Sequence, residues 1–320
     1  MTGFSEKAFA DWGRAAVLSA ALGLSLVFMP LLAILAAPLI PVPVTWLAVK
    51  RGPATAFLAA LAAGAICFLL GPPAGALIAF LLAAIVGIGA GVALRRGIPQ
   101  SMLLLLETAL FLAAQLIWGA AVLAATRMGP VEAVRSATDQ ALKISSKVPS
   151  LLTAGDSIVQ LRAFFNQLPY LLPSLLLLAS LAFSAMSMFA ARRVFVRLKQ
   201  PFPGDFCFRD LRLHFSLAYV MIAGLVCYLA SPYLAGSIAT PLRLTGLNFL
   251  IISEALFFVQ ALAITIFFLA RLKVSRAKQA IVYICLVVLQ LVLSLPSWLG
   301  LFDIWIDYRR RYDKRVKKST

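Results

Sequence analysis

An all-α fold, a polytopic transmembrane helix bundle of about eight to nine crossings, is predicted by three features of this chain. The composition is 62% apolar and only 13% charged, with a mean hydropathy of +0.96, whereas roughly a quarter of the residues of a soluble domain are charged. From Ala15 to the basic tail that begins at Arg309 the chain keeps returning to apolar runs, long enough for the ~20 residues a helix needs to cross hydrocarbon. The bases stand at the ends of those runs, as Lys50-Arg51, Arg95-Arg96, Arg192-Arg193 and Arg271 to Lys278. That is where cytoplasmic charge gathers in membrane proteins.

A backbone in hydrocarbon must satisfy its own hydrogen bonds, and these runs are too long for barrel strands, so each is expected to be a helix. In order they are 15–36, a short Pro-broken 38–49, 53–70 and 74–94 joined by the turn Gly71-Pro72-Pro73, then 101–125, 169–191, 215–236, 245–270 and 279–300. The opening "MTGFSEKAFADWGR" carries acids and bases and enters the first run without a small-residue cleavage site. It therefore reads as a retained first helix rather than a signal peptide. The organisation that follows is a cytoplasmic N-terminus (1–14), a six-helix membrane region (15–195) with an outer amphipathic loop (126–168), a basic cytoplasmic loop (196–214), three additional helices (215–302) and a basic tail (303–320).

Charge tests this register. With the N-terminus inside and the short second segment crossing, the cytoplasmic side collects sixteen bases between Lys7 and Lys278, and the opposite side six, five of them in the 126–168 loop plus Arg243. Removing the second crossing would put Lys50-Arg51 on the wrong side. The tail breaks the pattern, because nine crossings would export its seven bases, Arg309 to Lys318. Either the rule fails there, or residues 279–308 turn back at "SLPSWLG".

Two loops carry more than connection. In 130–168, Val131, Val134, Ala141, Leu142 and Ile144, and then Ile158, Leu161, Phe165 and Leu168 behind Asp156, fall at helical spacing. They suit interfacial helices over the outer mouth, or plain surface helices. On the inner side "RRVFVRLKQPFPGDFCFRDLRLH" alternates bases with Phe and Leu, which suits a segment at an anionic leaflet or one receiving a cytoplasmic partner. Small residues four apart let helices approach closely. They occur as Ala15, Ser19 and Gly23 with Ala16 and Ala20 beside them, as Ala60 and Gly64, and as Ala83, Gly87 and Gly91. For the later rows packing within the chain is expected; for the first helix a partner protein is an alternative.

Two carboxylates lie inside apolar runs, Glu107 in "LLLLETALFL" and Glu254 in "IISEALFFVQ". A charge at the bilayer centre costs roughly 2.5–3.5 kcal/mol even on insertion scales, so each must face the bundle interior, be neutral or find a partner. Gln115 and Trp118 follow Glu107 on its helix, and Asn248 and Gln260 flank Glu254. These six are the candidate ligand-binding residues, and the alternative is that each carboxyl is neutral packing glue. Asp303 and Asp307, four apart, are expected on one helix face, where such a pair can hold a divalent ion. Asp307 also stands four before Arg311, an ordinary helix ion pair. Trp298, Trp305 and Tyr308 suit an interfacial belt.

What is missing narrows the function. No GxSxG, HExxH, Walker A or GxGxxG occurs in a suitable context, so an enzyme is not expected. Cys67, Cys207, Cys227 and Cys285 lack metal-binding or disulfide spacing, and His214 stands alone. No cofactor and no metal is implied, and no basic stripe interleaved with aromatics on a soluble segment suggests nucleic acid despite the +17 charge.

The stretch "APLIPVPVTWLAVKRGPATAFLAALAAGAICFLLGPPAGALIAFLLAAIVGIGAGVALRRG", behind an alanine-rich first helix, resembles the substrate-binding S components of energy-coupling-factor vitamin transporters over roughly residues 12 to 195. The whole chain resembles the YybS-like family of bacterial integral membrane proteins of unknown function, and "GLFDIWIDYRRR" is similar to that family's C-terminal signature at Gly300, Asp303, Trp305, Asp307 and Arg309. The first resemblance implies that the small-residue motif docking an S component to its energy-coupling subunit falls on Ala15, Ser19 and Gly23 or on Ala16 and Ala20. Neither row is three alanines in succession, and three helices are added to the six-helix plan.

Three functions are therefore expected in turn. The first is a small-solute-binding or transport-related membrane subunit of the bacterial inner membrane, without chemistry of its own. The second is a scaffold for envelope assembly or cytoplasmic machinery, working through the basic loop and tail. The third is an enzyme on lipid-linked substrates, resting on Asp303 and Asp307.

Overall fold

The structure is a computed structural model that describes residues 6–129, 155–204, 208–234 and 237–319, together with 132, 133, 135, 136 and 139. Among these the regular elements are all helical, and nine helices are long and apolar enough to cross a membrane. The chain divides into two compact units, Met1–Pro169 with Leu175–Asp205, and Tyr170–Ser174 with Phe206–Thr320. Each is described by itself.

In the first unit prolines set the helix starts, because a residue without an N–H is tolerated where that N–H would have no intrahelical partner. α1 (Glu6–Phe28) stops ahead of Pro30, and α2 (Pro30–Ala36), a 3₁₀ turn (Ala37–Leu39) and α3 (Pro41–Arg51) follow in steps. This corrects the expected division at residue 36. The second crossing is not a short segment but a full 20 residues, Leu32–Arg51, because Pro30 opens it. α4 (Pro53–Leu70) begins after Gly52, whose φ of 104° takes the chain through a tight reversal.

The next crossing is α5 (Pro73–Leu81), a π-helical turn (Leu82–Ile88) and α6 (Gly89–Arg95). Its small residues press on α3: a Cβ at Gly87 would stand 3.0 Å from the Pro41 carbonyl oxygen, and one at Gly91 3.0 Å from that of Thr45. Ile40, Val44, Ala48, Ala60, Ala83 and Val86 are buried around that contact. Such packing replaces the hydrophobic drive that lipid does not supply. At one end of the unit Asp11 pairs with Lys50 Nζ at 2.8 Å and Arg51 Nη2 at 2.9 Å, so the start of α1 lies beside the end of α3.

α7 (Gln100–Thr126) is followed by α8 (Gly155–Arg197), 43 residues in one helix. The expected separate interfacial helix around Ile158, Leu161 and Phe165 is instead the backbone of α8, continuous through Pro169 and Pro173 into the next crossing. Val131, Val134, Ala141, Leu142 and Ile144 lie outside the described residues.

In the second unit α9 (Ser216–Ala230) ends in a 3₁₀ turn at Ser231–Tyr233, and α10 (Ala239–Arg271) runs antiparallel to it. The two backbones meet at glycines: a Cβ on Gly246 would lie 2.7 Å from the Gly224 carbonyl oxygen. α11 (Arg276–Leu293) presents no buried residue. The expected single helix 279–300 is broken at Ser294, whose φ is 53°, and α12 (Leu295–Ile306) starts afresh with Pro296 in its first turn. A second left-handed residue, Asp307 with φ 47°, separates α12 from α13 (Tyr308–Ser319).

Contacts give the direction of α12. Ser297 meets Glu254, Gly300 meets Phe257, Asp303 meets Gln260, and Tyr312 meets Phe268 with ring centroids 5.5 Å apart. Both numbers rise together, so α12 and α13 run parallel to α10 and return to the end where α10 finishes at Arg271. Of the two possibilities left open by the charge count, the segment turns back. The basic tail shares an end of this unit with Arg271 to Lys278.

Candidate functional site

Within the first unit a polar seam runs between α7 and α8. α7 turns Leu103, Glu107, Phe111 and Ala114 inward at helical spacing, all buried. α8 meets them with Ser180, Ser184 and Ser187, also buried. Gln115 Nε2 donates to Ser180 Oγ at 3.0 Å, Ser184 Oγ donates to the Leu104 carbonyl at 2.9 Å, and Phe111 packs edge-on against Phe183. Glu107 is 1% exposed, with Ser187 as its side-chain hydrogen-bond partner. Its other oxygen, Oε2, is buried with no partner among the described residues. A buried carboxyl oxygen without a donor is costly unless something fills the position.

Trp118, on the same helix, serves a different joint. Trp118 Nε1 donates 2.9 Å to the Ala74 carbonyl, fastening α7 to the start of α5 after the Gly71-Pro72-Pro73 turn. Asn248, Glu254 and Gln260 belong to the second unit and sit at three separate structural joints. Asn248 Oδ1 accepts from Ser174 N at 3.0 Å while its Nδ2 donates to Tyr170 O at 2.9 Å. These are the two backbone groups that an α-helix ordinarily joins to each other, next to Pro173.

Glu254 secures the α11–α12 reversal. Its Oε1 accepts from Gln290 Nε2 at 2.9 Å and from Ser294 Oγ, and its carbonyl accepts from Ser297 Oγ at 2.9 Å. Gln260, 1% exposed, accepts from Leu213 N at 3.0 Å and donates to Asp303 Oδ2 at 3.1 Å. Within each unit these residues are thus engaged at particular joints. Only Glu107 and Gln115 share a seam, and of the six only Glu107 has a buried polar atom without a partner among the described residues.

Asp303 and Asp307 do not form a face either, because the helix breaks at Asp307. Asp303 Oδ2 accepts from Arg309 Nη2 at 2.9 Å and its Oδ1 from Tyr308 N at 3.0 Å. Arg309 in turn donates to the carbonyls of Arg209 (2.9 Å) and Leu211 (2.8 Å). Asp307 pairs with Arg212 at 2.8 Å, not with Arg311 as its spacing suggests. Tail and basic loop are clasped together, and both carboxylates are engaged in the clasp. Gly300 instead packs α12 onto α10, since a Cβ there would overlap the Phe257 carbonyl. Trp305 is exposed beside Phe302.

A family described as predicted membrane proteins (DUF2232) matches residues 17–304. The chain belongs to that family. No curated protein and no solved structure matches. The DUF2232 match fits the expectation of an uncharacterised membrane protein family and spans both units, from α1 into α12. The likeness to S components rests on the quoted sequence alone.

The first-helix row of this DUF2232 chain is not presented outward. Ala15, Ala16, Ser19 and Ala20 are each at most 2% exposed. Ser19 Oγ donates to the Ile40 carbonyl at 2.9 Å, and a Cβ at Gly23 would collide with Ala79 and Cys67. Within the first unit α3, α4 and α5 occupy this row, and the side of α1 that faces out carries Val17 and Leu18. Sequence reasoning missed the serines of α8 and the Gln290, Ser294 and Ser297 cluster. The first was visible as Ser180, Ser184 and Ser187 at helical spacing in an otherwise apolar run. The second needed the chain reversal to bring it to Glu254.

Proposed function

We propose that this multi-pass membrane protein is a solute-binding or transport-related subunit without chemistry of its own, and that Glu107 is the group that meets the solute. One observation carries this: an almost fully enclosed carboxyl in the middle of a long apolar helix, with Oε2 lacking a donor among the described residues. An ionisable group inside a membrane span is by default a candidate functional group. The solute would be small, would bring an N–H, O–H or cationic donor to Oε2, and would lie against Phe111 and the serine seam. The charge asymmetry supports a bacterial cytoplasmic membrane with the N-terminus inside.

Purified protein in mild detergent, melted against a panel of vitamins and small metabolites, tests this. One compound is expected to raise the melting point, by an amount corresponding to ~2.7 kcal/mol at a hundredfold excess over Kd, and Glu107→Gln is expected to abolish that rise while still folding. A flat response across a wide panel counts against solute binding.

A scaffold role is favoured by a different observation. The clasp draws the tail and the basic loop together around Arg209, Arg212, Arg310 and Arg311, a single cationic surface suited to an acidic cytoplasmic partner. Loss of a co-purifying protein on neutralising Arg310 and Arg311 is its expected sign. A lipid-linked-substrate enzyme has less support, since the carboxylates it would use already hold Arg309 and Arg212.

A further inference from the structure

Along the returning edge of the second unit a groove of about 300 Å³ lies between α10 and the α12–α13 segment, lined by Ile264, Thr265, Phe268, Leu269, Leu299 and Tyr308. Its lining is dry. The one hydroxyl on its α10 wall, Thr265 Oγ1, donates to the Ala261 carbonyl at 2.8 Å, leaving the methyl group for the groove. Its α10 wall belongs to a helix long and apolar enough to cross hydrocarbon and its α12 wall to a shorter apolar helix, so an extended alkyl chain suits it and a water-soluble metabolite does not.

What distinguishes this groove from ordinary lipid-facing surface is its end. α10 runs from Phe268 to Arg271 in three residues, ~4.5 Å along the axis at 1.5 Å per residue. Arg271 lies over the Phe267 ring with 5.4 Å to the centroid. From the other wall, Tyr308 leads directly to Arg310 and Arg311, both exposed, while Lys273, Arg276 and Lys278 follow around the α10–α11 turn. The chain reversal at Ser294 brings the tail bases to this end; a straight ninth helix would have carried them away. An apolar slot that opens among cations matches a molecule with a hydrocarbon chain at one end and a phosphate at the other.

From this geometry we infer that the groove is a binding site for an anionic phospholipid, its acyl chain between α10 and α12 and its headgroup phosphate against Arg271, Arg310 and Arg311. A chain leaving bulk lipid for the groove gains no hydrophobic energy, since both surroundings are apolar. Selectivity therefore comes from the headgroup, and each base near the surface contributes roughly a fivefold preference.

Native mass spectrometry of the full chain tests the site. The protein is released from nanodiscs containing equal amounts of phosphatidylglycerol and phosphatidylcholine with identical acyl chains. Phosphatidylglycerol is expected to remain bound preferentially, and Arg310→Gln with Arg311→Gln to lower that preference by roughly twenty-fivefold without moving the melting point. Leu299→Trp, which fills the slot from the α12 side, is expected to lose the retained lipid of either kind. Equal retention of the two lipids overturns the inference, as does an unchanged preference in the double variant. Displacement of the lipid by free glycerol phosphate also overturns it, because a site that reads the phosphate alone does not use the groove.

Discussion

Arg309 and Asp303 form an ion pair at 2.9 Å with side chains only 3% and 2% exposed, and the same guanidinium reaches back to two carbonyls of the loop that precedes α9. One arginine thus fixes the place of the tail. A buried pair stabilises little over an apolar substitute of the same shape, but removing one member strands the other. Arg309→Ala or Asp303→Ala is therefore expected to destabilise the protein by about 3–5 kcal/mol. Replacing both with Leu and Met should cost much less than the two single changes together, as measured by unfolding in detergent. Additive losses would mean the pair is not coupled.

The reversal at Ser294 fixes sidedness within the second unit. In a cysteine-free background, Arg212→Cys, Lys273→Cys and Lys314→Cys are expected to react with a membrane-impermeant thiol reagent from one side, and Tyr233→Cys from the other. Labelling of position 314 together with 233 would show that the chain goes straight on after α11.

Glycine contacts make a paired prediction. Gly300→Ala puts a methyl group onto the Phe257 carbonyl, backbone against backbone with no flexible side chain to yield, and is expected to lower the yield of folded protein sharply. Gly119→Ala, in α7 with nothing within 4 Å, is expected to stabilise by up to ~1 kcal/mol through helix propensity. Thermal melting of the two variants side by side checks the sign of each.

Asn248→Leu removes the amide that meets Ser174 N–H and Tyr170 C=O, and interhelical hydrogen bonds in membranes average about 0.6 kcal/mol, with a maximum near 1.7. A loss of about 1 kcal/mol and faster amide exchange at Ser174 are expected. Unchanged exchange there would exclude the amide as a brace for the proline-bearing stretch.

Much of this architecture was legible in the sequence because hydrocarbon leaves the backbone few options. The apolar runs located all nine spans, and the bases ending them agree with Asp11 meeting Lys50 and Arg51 at one end of the first unit. Helix ends were less legible where a proline falls inside an apolar run: Pro30 and Pro296 change no hydropathy average yet begin new helices. The site was legible only in part. Glu107 stood out as a charge in an apolar run, but so did Glu254, and nothing local separates a carboxyl held by Gln290 and Ser294 from one with an oxygen that has no donor among the described residues. That difference arises from residues 36 and 40 positions away, brought close by a turn. Asp303 and Asp307 looked alike for the same reason, since the left-handed residue between α12 and α13 decides which arginine each one meets.

Glu107 Oε2, buried without a donor among the described residues, is the centre of the functional account, and calorimetric titration with the compound that stabilises the protein addresses it most directly. The natural protein is expected to bind one equivalent, Glu107→Gln to bind at least tenfold more weakly, a difference of about 1.4 kcal/mol, and Glu254→Gln to bind with unchanged affinity at temperatures where it remains folded. Equal affinity in the natural protein and Glu107→Gln would contradict the account.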